Sequence, residues 1–385
     1  MTIKKTLLFS RDEFLNRLCC VRRQMGEKGI EVLALFSPAS SFYLTGFNTI
    51  GVRNYQLLLV PLEDDPILLT RQLETYAAVK TSWLNEDRVL GWEDTENPVE
   101  KSVQVLKEYG LFEKRIGLEG SAPFLSADRF IKIRDALPNP TMGTGLVEWC
   151  RRTKSAQEIV YMRKAAEITR AGVSAAIAAI VPGASENDVA AATYAALMHA
   201  GSEKPPGGPT ITSGEKAGIP HTTFARRILM TGDTVLLELS GCYNYYVGPI
   251  MRGVSVGTPS RAVAHMADTL IRALNAGIEA IKPGHTVAEV DEACKTIIES
   301  NGFRDNFRKR TGYSVGFSFG PGWNEGDIIS LQANDPTIME PGMVFHLPLA
   351  LRVYDQYGLA FSETVVVTET GHELLTDYPR VLFVK

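Results

Sequence analysis

The stretch VPGASENDV, residues 181–189, reappears as KPGHTVAEV at residues 282–290. In both copies Pro-Gly ends one long helical pattern. A Ser or Thr followed three residues later by an acid (Ser185 with Asp188, Thr286 with Glu289) then makes a capping box that starts the next helix. The helix before the first copy is expected from Ala156 to Ile180, with Ile159, Met162, Ala166, Val173 and Ile177 on one face. Each helix pair leads to a Gly-led apolar strand, GDTVLLE from Gly232 and GMVFHLP from Gly342, whose seventh residues are Glu238 and Pro348. A helix–helix–strand unit that occurs twice predicts a pseudo-twofold α/β domain. Its functional cleft should lie between the halves, where the matching strands converge.

Upstream, Ser10 caps a helix with apolar residues at Phe14, Leu18, Val21 and Met25, ending near Gly29. Short apolar runs at residues 32–36, 56–61 and 66–70 follow, separated by turn clusters such as Ser37-Pro38 and Glu63-Asp64-Asp65. They predict an N-terminal α/β domain at residues 1–152 ahead of the duplicated α/β domain at 153–385. A chain of 385 residues exceeds one ordinary core, and its 45% hydrophobic content is ample for two.

The formal charge is −4, and the longest basic block is Arg308-Lys309-Arg310. Neither suggests a nucleic-acid or membrane-surface partner, which leaves a small molecule or peptide. The opening MTIKKTLLFSRDEF has too short an apolar run for a signal peptide, and no stretch is apolar for long enough to span a bilayer. Cys19, Cys20, Cys150, Cys242 and Cys294 are odd in number and without C-x-x-C spacing, so reduced buried thiols and a cytoplasmic location are expected.

Glu238 is the anomaly of the first strand. A carboxylate in an apolar strand needs a charge partner or a proton. It is a candidate for a substrate site, either as a clamp on a cationic ligand or as a nucleophile, and an internal ion pair with Arg226 or Arg252 is the plain alternative. Glu363 poses the same question at the head of the apolar run 364–368. His221 follows the Gly- and Pro-rich GGPTITSGEKAGIPH and is a candidate proton-transfer group. Arg53 lies in GFNTIGVRNYQ between Phe47 and Tyr55, suiting a binding loop with aromatic walls. Residues 317–325, FSFGPGWNE, are a candidate lid or an ordinary surface loop, and Tyr243, Tyr245 and Tyr246 form an aromatic cluster suited to packing. His199, His265, His285 and His372 have no convergent partners.

The domain-joining RRTKSAQEIVYMRKAAEIT, the doubled Pro-Gly junctions, IPHTTFARRILMTGDTVLLELSG, IMEPGMVF and VVVTETGHELLT together resemble the pita-bread superfamily of aminopeptidase P, prolidase, methionine aminopeptidase and creatinase. The resemblance implies a creatinase-type N-terminal domain before a pita-bread catalytic domain. Its peptidases hold two metal ions through two Asp, one His and two Glu. The matching positions here are Glu238, Pro249, Tyr313, Pro348 and Ser362, of which three cannot bind a hard divalent ion, so no metal and no cofactor are expected.

The resemblance instead points to the metal-free branch of creatinase and ectoine hydrolases. His221 then matches the catalytic histidine and Tyr313 a hydrogen-bond donor to the reacting centre. His346 is expected to line the cleft and Arg252 to form an internal ion pair, and the two strand carboxylates, Glu238 and Glu363, are expected from their apolar settings to clamp one cationic group between them. Register decides between Glu363 and Ser362, because the family pattern points to Ser362 and neighbours on a strand face opposite ways. The implied assembly is a homodimer in which Arg53 of one subunit, with Tyr55 beside it, approaches the other's zwitterionic substrate. The expected function is metal-independent hydrolysis of a non-peptide C–N bond in a small guanidino-, amidine- or cyclic-amidine carboxylate. The alternatives are an Xaa-Pro metallopeptidase and a non-catalytic binding protein.

Overall fold

The computed structural model describes residues 4–385. The chain divides into two compact units, one ending at Arg151 and the other beginning at Arg152. In the first, the helix Arg11–Glu27 starts where Ser10 accepts a hydrogen bond from the Glu13 N–H, and it buries Phe14, Leu18, Val21 and Met25. Three strands fall within one residue of the expected runs, at Val32–Leu35, Leu57–Pro61 and Ile67–Arg71. They form the centre of a mixed six-stranded sheet completed by Val89–Trp92 at one edge and by Ile116–Leu118 and Pro140–Met142 at the other.

The cysteine expectation is corrected in this unit. Cys20 and Cys150 form a disulfide, with Cα atoms 6.2 Å apart. The helices Arg11–Glu27 and Leu146–Arg151 pack together, which brings cysteines 130 positions apart into bonding range. Cys19 is an exposed free thiol, and Cys242 and Cys294 are buried free thiols.

In the second unit the duplication is visible bond for bond. Capping boxes Ser185/Asp188 and Thr286/Glu289 open the helices Glu186–His199 and Val287–Ser300, both of 14 residues. The glycine before each box is left-handed, Gly183 at φ +89° and Gly284 at φ +84°, a conformation glycine adopts without steric cost. Each donates 2.9 Å to a carbonyl, Leu229 in one copy and Met339 in the other, next to an isolated bridge (Ser185 with Ile228, Thr286 with Ile338). The longer helices before the boxes, Ala156–Ala179 and Arg261–Ala280, pack against these partners.

Each half then supplies an antiparallel sheet core. Thr234–Leu239 lies between Thr210–Ser213 and Ile250–Ser255, and Val344–His346 lies between Gly312–Ser314 and Thr364–Val367. The halves are sewn together where the Ser362 N–H donates to the Met251 carbonyl at 3.1 Å. A hairpin, Leu349–Val353 with Tyr357–Phe361, closes over the seam. Among the described residues, no helix is long and apolar enough to cross a membrane.

Candidate active site

Between the halves of the second unit lies a cavity of about 860 Å³. Strand alternation decides what faces it. Val235, Leu237 and Leu239 pack into the helix-side core, so Leu236 and Glu238 point into the cavity. Leu349 and Leu351 likewise enter the core of the second half, which turns Ala350 and Arg352 inward. Thr210, Thr212, Met251, Tyr313 and Pro348 complete the floor.

Glu238 therefore belongs to the cavity, and its internal ion pair with Arg226 or Arg252 does not form among the described residues. Its neighbours are cations from the other half. Burial pushes its carboxyl pKa up, and the charges of Lys309 and Arg352 pull it back down. Lys309 is open to cavity solvent yet surrounded by protein. That crowding lowers its pKa to about 8; Glu238 raises it, while Arg352 and Arg310 lower it. Two oppositely charged groups, each pushed toward neutrality, share a small space here, as in sites built for proton transfer.

His221 enters the same cavity on the loop after the 3-10 turn Gly214–Gly218, exposed to it and near the first-half strands. Its backbone stands at φ +58°, a left-handed conformation that residues with side chains seldom adopt. The loop is held by the Thr222 hydroxyl, 3.1 Å from the carbonyls of both Lys216 and Ile219. The turn thus presents the imidazole to the cavity.

The donor chemistry of the five residues matched to the family's metal ligands by resemblance does not fit a pair of divalent ions. Pro348 lines the cavity with no side-chain donor atom. The Pro249 carbonyl accepts from the Thr364 hydroxyl at 2.8 Å. Ser362 Oγ accepts from the Met251 N–H at 2.6 Å and lies 2.7 Å from His346 Nε2. The other ring nitrogen of His346 is 3.2 Å from the Tyr313 hydroxyl, which also bonds to Trp323. Burial raises the Tyr313 pKa, keeping it a neutral phenol. The fifth position, Glu238, sits beside an ammonium and a guanidinium that would repel added cations. No three His, Cys, Asp or Glu among the described residues gather in a metal-holding group.

Several sequence expectations are corrected by this geometry. Glu363 lies outside the cavity. Its position on the face opposite Ser362 sends it, fully buried, against Arg252, Arg380 (3.6 Å) and the Thr376 hydroxyl, so Glu238 and Glu363 form no two-carboxylate clamp. Arg252 is the ion-pair residue its place implied. Beyond Glu363, its guanidinium donates to the carbonyls of Pro379 (2.8 Å), Met251 (2.8 Å) and Ser362 (2.7 Å).

His346 is fully buried behind Tyr313 and does not line the cavity. Tyr55 is a core residue of the first unit whose hydroxyl is 2.8 Å from Ser102 Oγ, and Phe47 is buried too. The aromatic walls around Arg53 are therefore absent, and Arg53 itself is exposed on the first unit. The 317–325 loop is not a free lid. Phe319 stacks on Tyr245 with ring centroids 4.5 Å apart, Trp323 is buried, and Glu325 pairs with Lys154 at 3.4 Å.

The cations of the cavity were not legible as site residues. Arg308-Lys309-Arg310 stands three residues ahead of Tyr313, which is the one signal that marks it. Arg352 follows the apolar alternation of LALRV, which gives its direction only once the core side of that strand is known.

His346 also carries a pH prediction. Burial, reinforced by Lys309, holds its pKa well below 6.5, so it stays neutral in the folded protein. The unfolded chain protonates this histidine once the pH falls below about 6.5, while the folded chain resists, so its contribution to stability is present at neutral pH and lost on acidification. Thermal melts are expected to show Tm falling below that pH, with a smaller fall in His346→Gln.

Comparison with known proteins agrees with this architecture. The model of the Creatinase/Prolidase N-terminal domain matches residues 17–153, and that of metallopeptidase family M24 matches residues 160–369. The chain is 31% identical to the ectoine hydrolase of Halomonas elongata, covering 100% of both chains. It is 27% identical to the Xaa-Pro dipeptidase of Pyrococcus furiosus, covering 93% of this chain and 97% of that one. Among solved structures, the dipeptidase PepE from Mycobacterium ulcerans is 25% identical with a TM-score of 0.86, covering 98% of this chain and 99% of that one. With a family model over more than half its length and a relative 31% identical from end to end, this chain belongs to metallopeptidase family M24 and carries the creatinase/prolidase type of N-terminal domain.

Proposed function

We propose that the protein opens a C–N bond in a small amidine or guanidino carboxylate without a metal ion, a cyclic amidine of the ectoine type being the best-supported substrate. It is a hydrolase of carbon–nitrogen bonds, as its family and relatives indicate, which removes support from the non-catalytic alternative. The observation that carries the finer reading is the replacement of the metal donors by Pro348, a hydrogen-bonded Ser362 and Tyr313, while Glu238 and His221 still face one cavity.

In this mechanism Glu238, its pKa raised by burial, takes a proton from water as the water oxygen bonds to the amidine carbon. His221 gives a proton to the leaving nitrogen as the C–N bond breaks and takes one back from the tetrahedral hydroxyl as it becomes the carbonyl; the proton on Glu238 passes to solvent, and one water is consumed. Tyr313, anchored by His346, donates a hydrogen bond to the tetrahedral centre. With a single carboxylate beside two cations, a bare guanidinium is poorly accommodated and a ligand bringing its own negative charge is favoured. A homodimer in which a second copy's Arg53 also approaches this substrate is part of the proposal.

The Xaa-Pro metallopeptidase remains the second reading because dipeptidases are relatives of similar length. Chelator-dialysed protein is expected to turn over ectoine at an undiminished rate and to leave Xaa-Pro dipeptides intact. Dipeptide cleavage restored only by added manganese or cobalt would reverse the assignment.

A further inference from the structure

The cavity holds four cationic side chains, Arg308, Lys309, Arg310 and Arg352, against the single acid Glu238. None of the four forms an ion pair with an acid among the described residues. Arg310 and Arg352 are half-buried and Arg308 and Lys309 are open to the cavity solvent, so four like charges gather on one wall with a single carboxylate facing them.

Their placement is built rather than accidental. The turn carrying residues 308–310 is anchored below by buried Phe307 and tied to the Arg352 backbone by Asn306, whose amide donates to the Arg352 carbonyl at 2.8 Å. Arg310 is oriented by neutral partners only, Ser330 Oγ and Asn324 Oδ1, each at 2.9 Å, and its guanidinium lies 5.2 Å from the Tyr313 ring centroid. Arg308 spends its Nε on the Asp305 carbonyl at 2.7 Å and rests over Tyr354. Arg352 Nε is buried with no hydrogen-bond partner among the described residues. Such an orphaned donor costs stability unless something supplies the acceptor.

We propose that the 308–310 turn and Arg352 form a carboxylate-anchoring subsite, so that one chain alone holds the acid group of its substrate opposite Glu238 and His221. The proposal rests on the cavity being the reaction site, but not on the substrate being an amidine. A carboxylate fits better than phosphate because Glu238 shares the space, and a dianion would meet more repulsion from it. Guanidinium forks recognise planar carboxylates in a bidentate manner, and Lys309 adds a point charge.

The subsite also sets a pH dependence. The groups facing Lys309 are Glu238, Arg352 and Arg310, with the neutral Tyr313 and His346 nearby. Its ammonium is present below pH about 8 and lost above it, so affinity for an acid should decline on the alkaline side.

The test is calorimetric titration of full-length protein with matched pairs of acid and amide, ectoine against its carboxamide and proline against prolinamide, plus inorganic phosphate. In the wild type each acid is expected to bind at least about tenfold more tightly than its amide, with phosphate weaker than either acid. In Lys309→Met combined with Arg352→Gln, with folding checked by near-ultraviolet dichroism, that preference should shrink to less than about threefold. In Lys309→Met alone the alkaline decline should vanish. Equal binding of acid and amide by the wild type, no binding of any acid at millimolar concentration, or a preference that survives the double substitution overturns the subsite. Phosphate binding more tightly than the acids overturns the carboxylate assignment. An intact acid preference without turnover of ectoine would instead count against the amidine reading alone.

Discussion

Glu238→Gln is expected to lower kcat/KM by about a thousandfold or more, because the side chain proposed to move the proton in bond cleavage loses that ability. Folding should be unaffected, since Gln has nearly the same shape and the carboxylate makes no ion pair among the described residues. The substitution also removes the one negative charge facing Lys309 and Arg352, so an acid ligand should bind as well as before or better. Lost turnover with retained binding is the signature. Turnover near the wild-type rate would remove Glu238 from the mechanism.

The second large effect is on stability. Glu363→Ala leaves the fully buried Arg252 guanidinium without its carboxylate, and breaking one side of such a pair costs about 3–5 kcal/mol. Spread over a unit of this size, that loss lowers Tm by on the order of 10 °C. Arg252→Met should be at least as damaging, since it abandons the carbonyls of Met251, Ser362 and Pro379 along with Glu363. Per folded molecule, kcat should change far less than in Glu238→Gln. A Glu363 variant of normal Tm and abolished kcat would restore this residue to the catalytic site.

The contrast between the two glutamates explains what sequence could reveal. Capping boxes, Pro-Gly junctions and Gly-led strands are chemistry between near neighbours, so the duplication of the second unit was readable directly from 181–189 and 282–290. Glu238 was readable because it breaks an apolar strand at a position where alternation points away from the core. Glu363 breaks an apolar run in the same way, yet its charge partner Arg252 is 111 positions distant and only the folded register shows that the two meet.

The cationic wall was hidden for a similar reason. A block such as 308–310 reads as solvated surface unless its turn is known to face inward. Tyr55 misled in the other direction, since an aromatic next to Gly and Asn suggests a binding wall, whereas here it packs against the sheet of the first unit. The Cys20–Cys150 bond joins the first and last helices of that unit, a contact no spacing rule encodes.

The twofold scaffold has one further consequence. Its halves are alike in backbone but opposite in sign at the cavity, the first bringing Glu238 and the second Lys309, Arg310 and Arg352. Two such faces act like the plates of a small capacitor, so a dipolar guest is turned end for end before it touches either wall. Its capture rate should therefore drop as ionic strength rises, while its escape rate stays nearly constant.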